Sequence, residues 1–257
     1  MKENNCSNGS SGSKRGKGCL EFFRCFLLLR LLLLLVSATC LVWPSFGAET
    51  LPYGELFTDG PSNKPWVALT FDDGPGSDTP KFLEMLRRYD AKATFFMMGS
   101  QVKQHPDVAR EVQKEGHLIG NHTFSHPNFY FYKKEDKREK LKSEIESGRE
   151  AILGATGSDP VFLRMPNGYV RDWVKEVAQE EKVILVNWTY GSDWTKIDTA
   201  QMLKGYLSHL HSGAVLLFHD GGKDRSRTLS ILEKVLKEME KKNLKAVRVD
   251  EILGLSE

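Results

Sequence analysis

Two adjacent carboxylates, Asp72 and Asp73, close an apolar run and stand immediately before Gly74-Pro75. Residues Trp66 to Phe71 read as a buried strand bounded by Pro65 and by that turn. Neighbouring side chains on a strand point to opposite faces, so an interior strand cannot leave both as ordinary surface charges. At least one must be ion-paired, hydrogen-bonded or bound to a metal. Read alone, the stretch fits equally well an Asp-Gly-Pro turn that merely ends a strand. His122-Thr123-Phe124-Ser125-His126 shifts that balance. Two imidazoles four residues apart share one face of a helical turn, within reach of one ion. Two His and one carboxylate make the three-ligand set of a catalytic zinc site, with a fourth position open to water or substrate. One aspartate can bind the ion while its neighbour stays free as a base.

Positioning such groups requires a scaffold, and its pattern is an alternation. Apolar β-like runs appear at 67–71, 93–98, 117–120, 161–164, 183–188, 214–218 and 246–249. Helical patterns lie between them at 79–88, 101–114, 135–153, 172–180, 200–211 and 228–242. Near-continuous hydrophobic strands alternating with helices predict an α/β domain, a parallel sheet covered by helices. Seven such units predict a closed or nearly closed (β/α) barrel, with chemistry at the C-terminal ends of the strands. The candidates obey that rule. Asp72 and Asp73 end the first run, His122 follows the third, Arg164 ends the fourth, Asp193 lies beyond the fifth and His219 ends the sixth. His105, His117, His209 and His211 fall elsewhere and read as packing or surface residues.

The 257-residue chain has ordinary globular composition, 40% hydrophobic and 27% charged, but residues 1–48 stand apart. A polar, basic stretch runs into the apolar residues 26–36 and then a small-residue patch at Ser37-Ala38-Thr39, as in a secretory signal, and the apolar stretch from Leu31 to Ala48 is 18 residues long. An uncleaved membrane anchor is the alternative, since 18 residues just suffice to span a bilayer; acylation at Cys40 is a minor third, because its surroundings make a poor lipoprotein box. Residues 49–64, rich in Pro and Gly, read as a linker or irregular arm, and 65–257 as the catalytic domain. The leader holds six Lys or Arg and two Asp or Glu, so 30 basic and 32 acidic residues remain beyond it. A formal charge of −2 gives no footing for nucleic-acid binding. All four cysteines lie in the leader as well, so the exported domain rests on its core, without disulfides.

Together Thr70-Phe71-Asp72-Asp73-Gly74-Pro75, His122-Thr123-x-x-His126, Arg164-Met165-Pro166-Asn167-Gly168, Asp193-Trp194 and Leu217-Phe218-His219 resemble the polysaccharide deacetylase family of carbohydrate esterases (family 4) over residues 66 to about 252. The resemblance implies a single catalytic domain folded as a distorted (β/α) barrel of about seven parallel strands, in which Asp73, His122 and His126 bind one divalent metal, zinc first, with cobalt, nickel or manganese able to use the same ligands. It implies that Asp72 is the general base and His219 the general acid, held protonated by Asp193. Arg164 is expected to pair with Asp72, a backbone N–H near Asn167 to face the oxyanion, Leu217 to line an acetyl-methyl pocket and Trp194 to form a groove wall. Family members often carry an aromatic residue where Asn167 stands, and a second aspartate where Tyr190 stands; both departures concern substrate preference.

The implied activity is hydrolytic N-deacetylation of a cell-envelope glycan, peptidoglycan N-acetyl sugars foremost. Chitin oligomers or another N-acetylated exopolysaccharide are the enzyme alternatives, and a non-catalytic glycan-binding protein is the alternative of another class. Expected partners are the glycan, no nucleic acid, and membrane only through an uncleaved leader; the expected location is exported or envelope-associated, the expected state a monomer. Phe129-Tyr130-Phe131-Tyr132, just after His126, reads as packing at a helix start, with sugar stacking as the functional alternative.

Overall fold

The computed structural model describes residues 51–222 and 224–256; the expected leader lies outside them. Nine strands and eight α-helices follow in order among these residues, with one 3-10 turn at Pro166–Gly168. The chain runs β1 (Leu56–Phe57), β2 (Trp66–Asp72), α1 (Thr79–Arg88), β3 (Thr94–Met97), α2 (Gly99–Gln104), α3 (Pro106–Lys114) and β4 (Leu118–Asn121). It continues through α4 (Lys137–Thr156), β5 (Phe162–Leu163), α5 (Asp172–Glu180), β6 (Ile184–Val186), β7 (Tyr190–Gly191), α6 (Thr199–Ser208), β8 (Val215–His219), α7 (Ser226–Lys241), β9 (Lys245–Val247) and α8 (Val249–Leu253).

Every strand pair is parallel, in the order β1-β6-β5-β4-β3-β2-β8-β7, with β9 also pairing β2. β6 and β7 stand near opposite ends of this path, yet only Asn187, Trp188 and Thr189 separate them in the chain. Four Cα steps span at most roughly 15 Å. The sheet must therefore curl back on itself, and residues 187–189 stitch its two rims. Asn187 N–H donates to Phe57 O at 2.8 Å and Thr189 N–H to Val215 O at 2.8 Å. The result is the expected distorted α/β barrel, left as a curled half-barrel rather than a fully closed ring.

Three expectations need correction. The arm at 49–64 is not wholly irregular, because Leu56 and Phe57 pair with Leu185 and Val186 and add an edge strand. The helix predicted over 101–114 is two helices. Pro106 pushes the preceding residue out of the helical region, and His105 sits at φ −130°, ψ 53°. The last run, at 246–249, ends as a strand at Val247 and continues as α8.

Strand parity decides which side chains meet the chemistry. Along β2, Val67, Leu69 and Phe71 pack outward with α1, α3, α6 and α7 residues in the largest core cluster. Ala68, Thr70 and Asp72 therefore face the barrel interior. In β8 the same alternation turns Leu216 and Phe218 outward and Val215, Leu217 and His219 inward. The register pairs Thr70 with Leu217 and Asp72 with His219, so the two polar strand ends lie side by side at the C-terminal mouth.

Phe71 anchors the outer layer beneath that mouth. It is fully buried, with ring centroids 4.8 Å from Phe95, 5.2 Å from Phe82 and 5.8 Å from Phe218. Phe71→Ala is expected to destabilise by about 3–5 kcal/mol and lower the melting temperature by about 10 °C. Phe131→Ala, at a ring 79% exposed, is expected to stay within about 0.5 kcal/mol of the parent. Equal melting shifts in the two variants would contradict this division of core and surface.

Candidate active site

A cavity of about 300 Å³ opens at the C-terminal mouth, lined by Asp72, Asp73, His122, His126, Asn167, Gly168, Trp188, Trp194, Leu217 and His219. The structure thus brings eight of the ten sequence-predicted site residues to one surface. The other two, Arg164 and Asp193, stand directly behind it.

Asp72 and Asp73 both reach the cavity, which the strand-alternation argument alone does not allow. Asp73 lies just past the strand and adopts φ 69°, a left-handed turn that swings its carboxylate back to the side of Asp72. The two histidines also depart from expectation. Residues 122–126 form no helical turn; Thr123 and His126 take φ values of 66° and 57°, so a doubly left-handed loop brings the imidazoles together. Their ring centroids are 4.9 Å apart. Asn167 is left-handed too, at φ 56°. Such conformations cost non-glycine residues roughly 1–3 kcal/mol each and persist only where the surroundings impose them. The other left-handed non-glycine residues, Asp90, Lys182 and Asn243, follow helix ends, where the conformation is ordinary.

Asp73 Oδ1 lies 3.6 Å from His122 Nε2 and 3.6 Å from His126 Nε2. These three atoms are the one group among the described residues able to converge on a metal ion. Two ligands each about 2.1 Å from a tetrahedral ion stand roughly 3.4 Å apart, close to the spacing observed. His122 is also in the state a ligand requires. Its Nδ1 lies 2.8 Å from the Arg164 carbonyl, which can only accept, so the proton is on Nδ1 and the Nε2 lone pair faces Asp73. Burial lowers its pKa and outweighs the raising effect of Asp72 and Asp73, keeping the ring neutral.

Arg164 is fully buried rather than a surface cation. Its Nη1 donates to Asp72 Oδ1 and to Thr70 Oγ1, both at 2.8 Å. Nε and Nη2 donate to the carbonyls of Val186 at 3.0 Å and Asn187 at 2.9 Å. This leaves Asp72 Oδ2 toward the cavity, 3.7 Å from His122 Nε2. On the opposite wall, His219 Nδ1 bonds Asp193 Oδ1 at 2.8 Å, while Asp193 Oδ2 accepts from the His219 main-chain N–H at 2.9 Å and Thr228 Oγ1 at 3.0 Å. Burial alone would lower the His219 pKa. The hydrogen bond to Asp193 and the charges of Asp193, Asp72 and Asp73 outweigh it and raise the pKa above 6.5.

Trp188 and Gly168 line the cavity without having been singled out from sequence. Trp188 ends the fifth apolar run, on the same rim as the other candidates, and that position was the available signal. Its ring occupies the space a Gly168 side chain would need, 2.7 Å from an ideal Cβ, and stands edge-on to Trp194 at 6.2 Å. Trp194 is half exposed and packs edge-on to His219 at 5.3 Å. The remaining histidines stay outside the cavity: His117 is buried against Phe95 and His209 stacks on Tyr190.

The family model described as "Polysaccharide deacetylase" matches residues 59–185. A peptidoglycan-N-acetylglucosamine deacetylase of Bacillus cereus is 37% identical over 209 residues, covering 80% of this chain and 96% of that protein. A chitooligosaccharide deacetylase of Azorhizobium caulinodans is 33% identical over 162 residues, covering 62% of this chain and 75% of that protein. Among solved structures, a peptidoglycan N-acetylglucosamine deacetylase in complex with a naphthyl-substituted N-hydroxybenzamide has a TM-score of 0.72 at 31% identity, covering 79% of this chain and 94% of that one.

The His219–Asp193 pair can be tested by titration alone. In metal-free protein, His219 followed by imidazole NMR should titrate above 6.5, and Asp193→Asn should lower that value. An unchanged midpoint in Asp193→Asn would show that Asp193 does not hold the proton on the ring.

Proposed function

The chain belongs to the polysaccharide deacetylase family, and from that premise we propose that it removes acetyl groups from N-acetylated sugars of a cell-envelope glycan, peptidoglycan foremost, with a divalent metal held by Asp73, His122 and His126. The observation that carries this reading is the pairing of two separately supported proton carriers across one metal-sized ligand set. Asp72 is fixed by Arg164, His219 is fixed by Asp193, and both face the same cavity as the three converging ligand atoms. The donor set fits zinc, with two neutral-type nitrogens and one carboxylate; cobalt, nickel or manganese suit the same atoms.

When bound, such an ion polarises the acetamide carbonyl and lowers the pKa of the attacking water. Asp72 Oδ2, the oxygen not engaged by Arg164, accepts the water proton as the new C–O bond forms. Developing negative charge on the carbonyl oxygen is met by a main-chain donor in the 166–168 turn. The Gly168 and Tyr169 N–H groups are already given to the Met165 and Pro166 carbonyls, so this role falls to Asn167 N–H. His219, protonated through Asp193, delivers a proton from Nε2 to the leaving amine as the C–N bond breaks. Acetate and a free amino sugar result. Leu217, almost fully buried at the cavity floor, suits the acetyl methyl, and Trp188 and Trp194 form the apolar wall.

The peptidoglycan preference is supported by the Bacillus cereus relative, 96% of whose length this chain covers, and an exported location fits such a substrate. The single catalytic domain at 65–257, behind a cleaved or anchoring leader at 1–48, belongs to the same reading, as does a monomer. Residues after His126 bear on the length of glycan engaged. Phe129 is buried against Tyr132, Tyr169 and Trp173, and the Tyr132 hydroxyl donates to Asp136. These two rings read as packing. Tyr130, half exposed, stands edge-on to Tyr169, the residue directly after cavity-lining Gly168, and reads as a stacking surface for a sugar beyond the reacting one.

Acetate release from purified peptidoglycan, chitin oligomers and an acetylated exopolysaccharide tests the activity and its substrate class together. Chelator-stripped protein should release none, zinc should restore release from peptidoglycan, and Asp72→Asn should lose about 10²–10⁴-fold. Glycan binding without release from any substrate would make this a binding protein instead. On long glycan, Tyr130→Ala should raise KM about two- to tenfold, the equivalent of about 0.5–1.5 kcal/mol of aromatic contact, with kcat on a single acetylated sugar unchanged. An unchanged KM would return Tyr130 to the packing group.

A further inference from the structure

We propose that Glu144, on the opposite side of the His122–His126 loop from the cavity, is a positioning residue that sets the metal geometry; the proposal rests on the reading of Asp73, His122 and His126 as ligands. Glu144 is a carboxylate on the buried stripe of α4, among Leu141, Ile145 and Gly148, and only 4% exposed. A buried carboxylate in an apolar stripe must be satisfied, and Glu144 is satisfied by the loop. Its Oε2 accepts from the Phe124 N–H at 3.0 Å and the Ser125 N–H at 2.7 Å, and its Oε1 accepts from Ser125 Oγ at 2.7 Å. Lys140, one turn earlier on the helix, closes the set at 2.7 Å.

Phe124 and Ser125 lie between the two imidazoles, so these bonds hold the segment that determines how far apart His122 and His126 stand. The segment needs holding. Thr123 and His126 are both left-handed, and Thr123, being β-branched, adopts that region only under constraint. α4 supplies a second anchor through Asn121, whose Nδ2 donates to the Ile145 carbonyl at 2.9 Å while its Oδ1 accepts from the Thr123 N–H at 2.8 Å. The Glu144 clamp differs from that anchor in using a side chain whose length and two-oxygen geometry can be varied without touching a ligand.

That difference separates positioning from general stabilisation. Glu144→Gln keeps the reach and one oxygen for the two N–H groups, with Ser125 Oγ free to turn and accept. Glu144→Asp keeps the charge but is one methylene too short. If geometry is what Glu144 supplies, the neutral variant should outperform the charged one. Zinc affinity, measured on full-length metal-stripped protein by competition with a chromogenic chelator, is expected to fall about tenfold or more in Glu144→Ala and Glu144→Asp, and about threefold or less in Glu144→Gln. Lys140→Met, which leaves all three loop bonds in place, should stay within about twofold of the parent.

Melting of the metal-free proteins is read alongside. Zinc affinity unchanged in folded Glu144→Ala and Glu144→Asp would overturn the proposal. Glu144→Gln losing as much as Glu144→Asp, or Lys140→Met losing as much as either, would overturn it too, since charge rather than reach would then be decisive. Should Glu144→Ala fail to fold, the Gln and Asp pair still decides. Parent protein that binds no zinc would overturn the metal reading itself, a failure distinguishable from indifference to Glu144 in a zinc-binding parent.

Discussion

A guanidinium with no solvent exposure, beside a carboxylate 2% exposed, is the constraint around which the mouth of this barrel is organised. Removing either charge from water costs several kcal/mol, and their attraction offsets that only when every remaining donor is placed. Four strands contribute to the placement. β2 supplies Asp72 and Thr70, β5 leads directly into Arg164, and the chain leaving β6 turns the Val186 and Asn187 carbonyls inward. Thr70 Oγ1 passes the connection on by donating to the Leu216 carbonyl of β8 at 2.9 Å. Arg164 also accepts His122 Nδ1 on its own carbonyl, so one residue orients both the proposed base and a proposed ligand. Curling of the sheet is what makes this possible, because a flat parallel sheet would hold β2 and β6 several strands apart.

The second organising feature is backbone strain concentrated at the same mouth. Asp73, Thr123, His126 and Asn167 are left-handed without being glycine, and each contributes to the cavity or to the loop that builds it. The network behind them comes from Glu144 of α4, from Asn121 at the end of β4, and from Asp220, the residue after β8. The Asp220 carboxylate fills the space a Gly74 side chain would need and accepts from Thr79 Oγ1 at 2.5 Å, pinning the turn after Asp73. A glycine at position 74 is thus required by close approach. Asp72 and His219 are held at strand ends, while Asp73, His122 and His126 sit on the loops that leave β2 and β4 and depend on these anchors for their geometry.

Much of this architecture was legible in the residues. Two helices, 79–88 and 172–180, have the predicted bounds, because apolar spacing, Pro80 near the first start and Arg87-Arg88 at the first end agree with one another. Strand-end placement grouped Asp72, His122, Arg164 and His219 correctly on one rim, since in a parallel barrel sequence position along a strand translates directly into height. What was not legible came from backbone torsion and from distance along the chain. Helical spacing for His122 and His126 gave the right neighbours by the wrong geometry; nothing local announces a left-handed Thr123. The edge strand at Leu56–Phe57 is too short to show periodicity and exists only because β6 offers it a partner. Glu144 did leave a trace, a carboxylate in register with Leu141, Ile145 and Gly148, but a lone charge in an amphipathic pattern reads as solvated until the opposing loop is seen.

The pairing of His219 with Asp193 follows from the charge balance of the cavity. Arg164 pairs with Asp72, and the crowding of negative charge around Asp72 and Asp73 extends to Asp220, whose pKa is pushed up to about 7, by burial first and with Asp73 and Asp72 adding to it. That surplus suits a divalent ion, yet the same ion works against the proposed acid. Positive charge at Asp73, His122 and His126 favours the neutral form of His219 and offsets the raising contributions of Asp72 and Asp73. Asp193, bonded directly to the ring Nδ1 and outside the ligand set, still favours the protonated form. Two hydrogen bonds to one carboxylate, from the ring Nδ1 and from the main chain of the same histidine, fix that counter-charge in place. On the proposed reading two demands fall to two different aspartates: Asp73 to hold a cation, and Asp193 to keep a proton in that cation's presence.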